Sequence, residues 1–337
     1  MHRTSSRSSA ICPRAPPAPG GFRASSASQI RAIPRLQKEQ ILTMRILIGS
    51  DLSRSSDEAI LQASSLARNT DDELALCHVL PEPQLRTLFP QEHEQDLEAL
   101  LELQPRVANA LEMQFERLLG SVAPPFRVFI EQGTDYAELV HRAEKWPADL
   151  IVVGDNGRSG LAQFFLHDVA DQVVRYAPCA VLVARQRSPG AVVVATDLSD
   201  PAQPAIEAGA REAARRGRPL VIVHVTEGFG RRAEAAMALL GTNPVMETAD
   251  IAKERASLAR QIIASTLDRV HVKGDVQIVD GDPTTEILSV VQAQSAELLV
   301  VGTRGRSSVS RVMLGSVAAS VVQRAPCSVL AVRLATG

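Results

Sequence analysis

Residues 300–324 read V-V-G-T-R-G-R-S-S-V-S-R-V-M-L-G-S-V-A-A-S-V-V-Q-R, a run in which glycines, arginines and serines fall at a spacing that suits an anion. An apolar stretch ends at Gly302, a basic segment passes through Gly305, and a helical pattern restarts at Gly315-Ser316. Glycine lets the backbone approach a phosphate closely, successive N–H groups point at it, and a helix start adds positive dipole. Arg304, Arg306 and Arg311 add charge nearby. The spacing Gly302-x2-Gly305-x9-Gly315-Ser316 lacks both the Gly-Lys-Ser/Thr of a P-loop and the G-x-G-x-x-G of a dinucleotide fold. Two glycines after a strand make only a turn when taken alone, so the elements around them have to decide.

Those elements alternate. Apolar runs at 46–50, 74–80, 126–131, 150–154 and 180–184 read as strands, and helical patterns at 55–69, 92–119, 133–146 and 168–176 separate them. Pro105 is expected to break or kink the second helix, and Gly133-Thr134-Asp135 to open the third with an Asx-type cap. Aliphatic strands joined through helices imply a parallel sheet covered on both faces. The order then recurs. Ile48-Gly-Ser-Asp51-Leu-Ser53 returns as Val194-Ala-Thr-Asp197-Leu-Ser199, and Cys77-His78-Val79 as Val223-His224-Val225. Gln132-Gly133 returns as Asp280-Gly281, where Asp282-Pro283 supply a cap and a first-turn proline. Asp149-Leu-Ile-Val-Val-Gly154 matches Glu297-Leu-Leu-Val-Val-Gly302, and Ala177-Pro-Cys179 matches Ala325-Pro-Cys327. The offset is 146 residues at Asp51 and Asp197 (197 minus 51) and 148 at Gly154 and Gly302 (302 minus 154). One α/β domain is duplicated, as 44–187 and 190–335, over a join too short for independent halves. The fifth strands would be exposed edges unless they pair across an internal pseudo-two-fold axis, making an intrachain pseudo-dimer.

Composition excludes other classes. The 337 residues suffice for two domains, and a formal charge of -2 offers no field for nucleic acid or a membrane surface. Aromatics are 3%, too few for base-stacking platforms. The apolar runs are strand-length, so no membrane span is expected. Cys12, Cys77, Cys179 and Cys327 are scattered without a C-x-x-C, which suits a reducing cytoplasm better than disulfides or zinc, and Cys179 and Cys327, ahead of the last strands, read as small apolar residues. Residues 1–43 are rich in Ser, Pro, Ala and Arg and are read as disordered. A transit peptide shares that composition, but Met44 directly precedes the first strand, which favours a mis-assigned upstream start.

The repeated Asp-Leu-Ser, the His-Val of the second strands, the Gly302, Gly305, Gly315-Ser316 spacing and the closing Ala-Pro-Cys together resemble the universal stress protein family in tandem form, over about residues 44–334. The resemblance implies, for each half, a doubly wound five-stranded parallel sheet of order 3-2-1-4-5 with an adenine nucleotide alpha hydrolase-like fold. It also implies ATP or another adenine nucleotide in the crevice between the first and fourth strands, where ligands of such sheets sit. Carried onto this chain, Asp197 and the backbone at Val225 hold the adenine end. Gly302, Arg304, Gly305, Gly315 and Ser316, with Val317 behind them, hold ribose and phosphates. The Ser316 hydroxyl either caps its helix or meets a phosphate oxygen.

The first half departs from this pattern. It keeps Gly154-Asp-Asn-Gly157 but carries His167-Asp168 where the second has Gly315-Ser316, and Asp155 where the second has Thr303. Acidic groups repel a phosphate in a partly dry crevice, so the first half is expected not to bind ATP in the family's manner. A metal at Asp51, His167 and Asp168 is the lesser reading, because an Asp ahead of a helix is an ordinary cap. His78 and His224 read as satisfied structural residues on buried strands. Residues 228–248 read either as a long loop or lid over the nucleotide or as a disordered segment. The chain is read as a cytoplasmic nucleotide-binding stress protein with an unknown regulatory protein partner and a possible homodimer. A slow ATPase is kept as an alternative, although no Walker lysine or general base is evident, as is a nucleotide-free interaction module.

Overall fold

The computed structural model describes residues 43–67, 71–81, 93–120, 124–155, 169–186, 188–226, 249–303 and 314–333. The strands are β1 (Arg45–Gly49), β2 (Glu73–Pro81), β3 (Phe126–Gly133), β4 (Leu150–Gly154), β5 (Ala180–Ala184), β6 (Val192–Ala195), β7 (Leu220–Thr226), β8 (Asp275–Asp280), β9 (Leu298–Gly302) and β10 (Ser328–Val332). The helices are α1 (Arg54–Leu66), α2 (His93–Leu119), α3 (Asp135–Lys145), α4 (Val169–Tyr176), α5 (Gln203–Arg216), α6 (Ala249–Arg269), α7 (Pro283–Ala293) and α8 (Ser316–Arg324). A 3-10 turn, Asp200–Ala202, leads into α5.

The ten strands among the described residues form one sheet of order β3-β2-β1-β4-β5-β10-β9-β6-β7-β8. Each half has the expected order 3-2-1-4-5 and is parallel throughout. The halves join where β5 meets β10 antiparallel, with Val183 opposite Val329 and Val181 opposite Ala331. That pairing removes two of the four edges that separate five-stranded sheets would expose.

Strand alternation sorts the core into two layers. Leu47, Ile151, Val181, Val193, Leu299 and Val329 face the layer of α3, α4, α7 and α8, whereas Ile46, Leu150, Leu182, Val192, Leu298 and Val300 face α1, α2, α5 and α6. Because the strands are buried on both faces, they read as unbroken aliphatic runs in the sequence. The α2 stripe closes one end of the second layer through Leu111 and Phe115, both fully buried, with Val107 and Leu118 packed beside them.

Two local expectations are revised. Of the break or kink expected at Pro105, the break is absent: the second helix is one continuous element through that residue. A proline costs one i→i−4 bond and some strain, and the helix carries that loss because the packing of Leu111 and Phe115 holds its later turns. Helix α3 has Thr134 as its N-cap without a side-chain hydrogen bond, so the Asx-type cap is not formed. At α7 the cap is as expected: Asp282 accepts from the Thr285 N–H at 2.9 Å and Pro283 occupies the first turn.

At the start of β9, Glu297 is buried and receives Arg216 Nη1 and Arg218 Nε, both at 2.7 Å. Burial alone would raise its carboxyl, but the two arginines outweigh it and hold the group below the ordinary carboxylate value of 4.5. A depressed folded value contributes stability that is complete above that ordinary value and is lost as pH falls through the depressed one. Replacing Glu297 by glutamine is therefore expected to cost about 2 kcal/mol at neutral pH. It should also flatten the loss of the urea midpoint below about pH 4.5. Equal midpoints for the two proteins at pH 7 would contradict this.

Candidate functional site

The carboxyl edge of the second half is built by three strand ends. Ala195 on β6 pairs with Val301 on β9 and with Val223 on β7, so Thr196-Asp197, Gly302-Thr303 and His224-Val225 emerge side by side. The Thr196 N–H continues the ladder to Val223 O at 3.1 Å. His224 then pins the turn, its Nδ1 lying 2.8 Å from Thr196 O. A carbonyl only accepts, so Nδ1 carries the proton of this bond.

The Thr-Asp-Leu-Ser segment locks itself. The Leu198 N–H donates to Thr196 Oγ1 at 3.1 Å, and Asp197 Oδ1 receives the Ser199 N–H at 3.0 Å and its hydroxyl at 2.6 Å. Asp197 thus braces Ser199, the residue ahead of the 3-10 turn, rather than capping a helix directly. Leu198 is held at φ 60 and its counterpart Leu52 at φ 65, a left-handed conformation rare for leucine. Such outliers persist where surrounding bonds over-determine them, and they cluster at ligand crevices.

Gly315 supplies the opposite wall. Its N–H donates to Thr303 O at 3.0 Å, which places the start of α8 against the end of β9. It is the N-cap of α8 at φ -60 and ψ 145, with no side-chain cap. The first helical bond is Ala319 N–H to Gly315 O, 2.9 Å, so the N–H groups of Ser316, Val317 and Ala318 have no acceptor within the helix. Ser316 is the first helical residue and is exposed, so of the two roles expected for its hydroxyl the cap is not the one used. Val317 packs against the core behind it.

Six of the eight expected binding residues are therefore described: Asp197, Val225 and Gly302 come together along the carboxyl edge of the sheet, and Gly315, Ser316 and Val317 open α8 beside Gly302. Arg304 and Gly305 lie outside the described residues, as do Arg306, Arg311, His167, Asp168 and the loop 228–248.

A family model described as the Universal stress protein family matches residues 43–185 and again residues 190–333. The chain belongs to the universal stress protein family. It is 27% identical over 310 residues to a universal stress protein of Mycolicibacterium smegmatis, covering 86% of this chain and 96% of the relative. A universal stress protein of Mycobacterium tuberculosis is 26% identical over 299 residues, with the same shares covered. Among solved structures, a universal stress protein from Archaeoglobus fulgidus aligns with a TM-score of 0.60 at 20% identity, over 86% of this chain and 98% of that one, which speaks for the fold.

The first half of this tandem universal stress protein repeats the same fastenings and adds its own. His78 Nδ1 lies 2.7 Å from Ser50 O, and the Leu52 N–H donates to Ser50 Oγ at 3.2 Å. Asp51 Oδ1 receives the Ser53 N–H at 3.0 Å and the Ser56 hydroxyl at 2.7 Å. Partial burial raises the Asp51 carboxyl, and these hydrogen bonds more than offset it, leaving the group below its ordinary value of 3.8 and so ionised at neutral pH. Gln114, buried on α2, ties this loop down by accepting from Ser50 Oγ at 2.8 Å and donating to Asp57 at 2.7 Å.

A cleft of about 120 Å³ opens here, lined by Asp51, His78, Asp135, Leu139, Gly154 and Val169 among others, with two carboxylates and no arginine or lysine among its described lining residues. Asp155, expected to repel phosphate from this side, is instead neutralised: Arg185 Nε donates to it at 2.6 Å. The free thiols Cys77, Cys179 and Cys327 are pushed up by burial to about 12, 12 and 11, which suits the small apolar role expected of Cys179 and Cys327.

Sequence reasoning found the histidines but not the carbonyls they hold, and it missed Gln114 and the hydroxyls of Ser50 and Thr196. The signal was present in the latter: a hydroxyl residue precedes the aspartate in both copies, and each histidine follows its aspartate by 27 residues (78 minus 51, and 224 minus 197).

Proposed function

We propose that this universal stress protein binds ATP or a related adenine nucleotide in its second half and acts through that site in stress regulation, with a protein partner that reads the loaded state. The observation that carries the reading is Gly315. Its backbone angles suit any residue, and a Cβ there would meet nothing closer than Thr303 O at 3.8 Å, ordinary contact. Neither strain nor crowding within the described fold demands glycine. What its missing side chain provides is an open approach to the N–H groups that begin α8, which is what a phosphate needs.

Asp197 and the backbone at Val225 take the adenine end, and Gly302, Arg304, Gly305, Gly315 and Ser316, backed by Val317, take the ribose and phosphates. The nucleotide supplies the negative charge and the adenine ring; the chain's residues orient it between the ends of β6 and β9 and offer donors to it. In the first half the acidic lining of the cleft weighs against a triphosphate, even with Asp155 neutralised. Isothermal titration of the purified chain with ATP, after mass spectrometry of any small molecule that copurifies, tests the proposal. One adenine nucleotide per chain is expected. No copurifying nucleotide and no binding at millimolar concentration would overturn it.

A further inference from the structure

Two arginines cross the joint between the halves in opposite directions. Arg185 is the first residue after β5 and Arg333 the first after β10, 148 residues on (333 minus 185). Because β5 and β10 run antiparallel with Val183 opposite Val329, each arginine emerges over the turn that feeds the other half's last strand. Arg185 donates through Nη2 to Val322 O at 2.6 Å and through Nη1 to Cys327 O at 3.0 Å. Arg333 donates through Nη2 to Val174 O at 3.2 Å and to Arg175 O at 2.7 Å.

The carbonyls they reach lie at helix ends. Val321 O already receives the Ala325 N–H and Val173 O the Ala177 N–H, so Val322, Val174 and Arg175 fall among the carbonyls that α8 and α4 leave without helical donors. A guanidinium there satisfies them and sits at the negative end of the helix dipole. Each half therefore caps the last turn of a helix in the other half, and the helix that Arg185 caps is the one whose first turn, at Gly315 and Ser316, faces the second crevice.

The exchange is not symmetric. Arg185 Nε also donates to Asp155 Oδ2 at 2.6 Å, with the two side chains only 10% and 19% exposed. Asp155 directly follows Gly154, which lines the first-half cleft, and its N–H is bonded to Ala184 O at 3.1 Å. The matching residue of the second half is Thr303, whose N–H makes the same bond to Val332 O at 3.0 Å but whose side chain carries no charge. A contiguous run of contacts thus leads from the first crevice through Asp155 and Arg185 into the end of α8. A guanidinium this buried depends on its carboxylate: without it the charge is drawn toward water and away from the helix end. A nine-residue helix is a stiff body, so loosening one end alters how the other is held.

We propose that Arg185, held by Asp155, is a positioning residue for the second-half anion site, so that the first half sets how α8 presents its opening turn. The ligand in this inference rests on the nucleotide reading above; the mechanical part does not.

Amide hydrogen exchange and ATP titration on the full chain test both parts, using Asp155→Asn, Arg185→Gln and, as the mirror control, Arg333→Gln. Asp155→Asn and Arg185→Gln are expected to speed exchange in α8 about three- to tenfold and to weaken ATP by a similar factor, with α4 unchanged. Arg185→Lys should recover part of the loss, since it keeps the charge but not the fork. Arg333→Gln removes an equivalent cap, and it should speed α4 while leaving ATP affinity at the wild-type value. Wild-type exchange of α8 in both first-half variants would overturn the proposal, as would an equal loss of affinity in Arg333→Gln. If the wild-type chain binds no ATP while α8 still responds to Asp155→Asn, the nucleotide reading falls and the coupling stands.

Discussion

Replacing Gly315 by aspartate is expected to weaken adenine-nucleotide binding about a hundredfold or more while leaving the melting temperature unchanged or slightly raised. The two effects separate because the position has room and the right backbone. At φ -60 and ψ 145 it is an ordinary N-cap, and a new Cβ would lie 3.8 Å from Thr303 O. Aspartate is among the best N-caps and should gain a few tenths of a kcal/mol over glycine by accepting from the first-turn N–H groups. That same carboxylate occupies the place proposed for a phosphate. Two like charges about 4 Å apart at an effective dielectric of about 20 repel by about 4 kcal/mol, so a hundredfold loss, about 2.7 kcal/mol, allows for screening. Gly315→Ala adds bulk without charge and should lose less. Titration calorimetry and thermal unfolding of the same samples check the pair. Undiminished affinity in Gly315→Asp would remove phosphate from the start of α8.

Gly154→Ala is expected to destabilise the chain by at least about 3 kcal/mol, the upper end of overpacking costs. A Cβ at Gly154 would lie 2.3 Å from Ser55 O and 2.9 Å from Ser55 Cβ. The obstruction is backbone, which no rotamer change relieves. Helix α1 would have to lift from the end of β4, and it carries Ala59, Ile60 and Ala63, all fully buried. The Asp51, Ser53 and Ser56 bonds at its start would move with it, so the first-half cleft should lose its shape. Urea unfolding measures the cost. A midpoint equal to wild type would show that α1 does not press on β4 as described.

Much of this architecture was legible because the repeat carries its own register. Asp-Leu-Ser, His-Val and Ala-Pro-Cys recur in order, so the strand order of one half predicts the other, and an exposed aliphatic edge at β5 implies its pairing with β10. The continuity of the second helix through Pro105 was not legible because propensity is local, whereas Leu111 and Phe115 hold that helix from the tertiary side. Leu52 and Leu198 adopt positive φ without any glycine or asparagine to announce it; the cause is the hydroxyl two residues back. The charge at Asp155 read as a repulsive element because its partner is 30 residues away and invisible to any motif. The same arginine reaches Val322 across 137 residues, a contact that only the folded joint creates.

The candidate site was legible to the extent that backbone chemistry leaves residue-type traces. Glycine at 302 and 315, aspartate at 197 and serine at 316 are visible as letters, and the crevice follows from where the strand order reverses. The uncapped start of α8 is not, since whether Ser316 caps the helix or stands inside it depends on a single residue of register.

A crystal structure of the chain with ATP is the decisive experiment. It is expected to show a triphosphate against Gly315 and Ser316, with adenine toward Asp197 and Val225 and no triphosphate in the cleft of the first half. A triphosphate lodged beside Asp51, His78 and Gly154, with the second crevice empty, would contradict it.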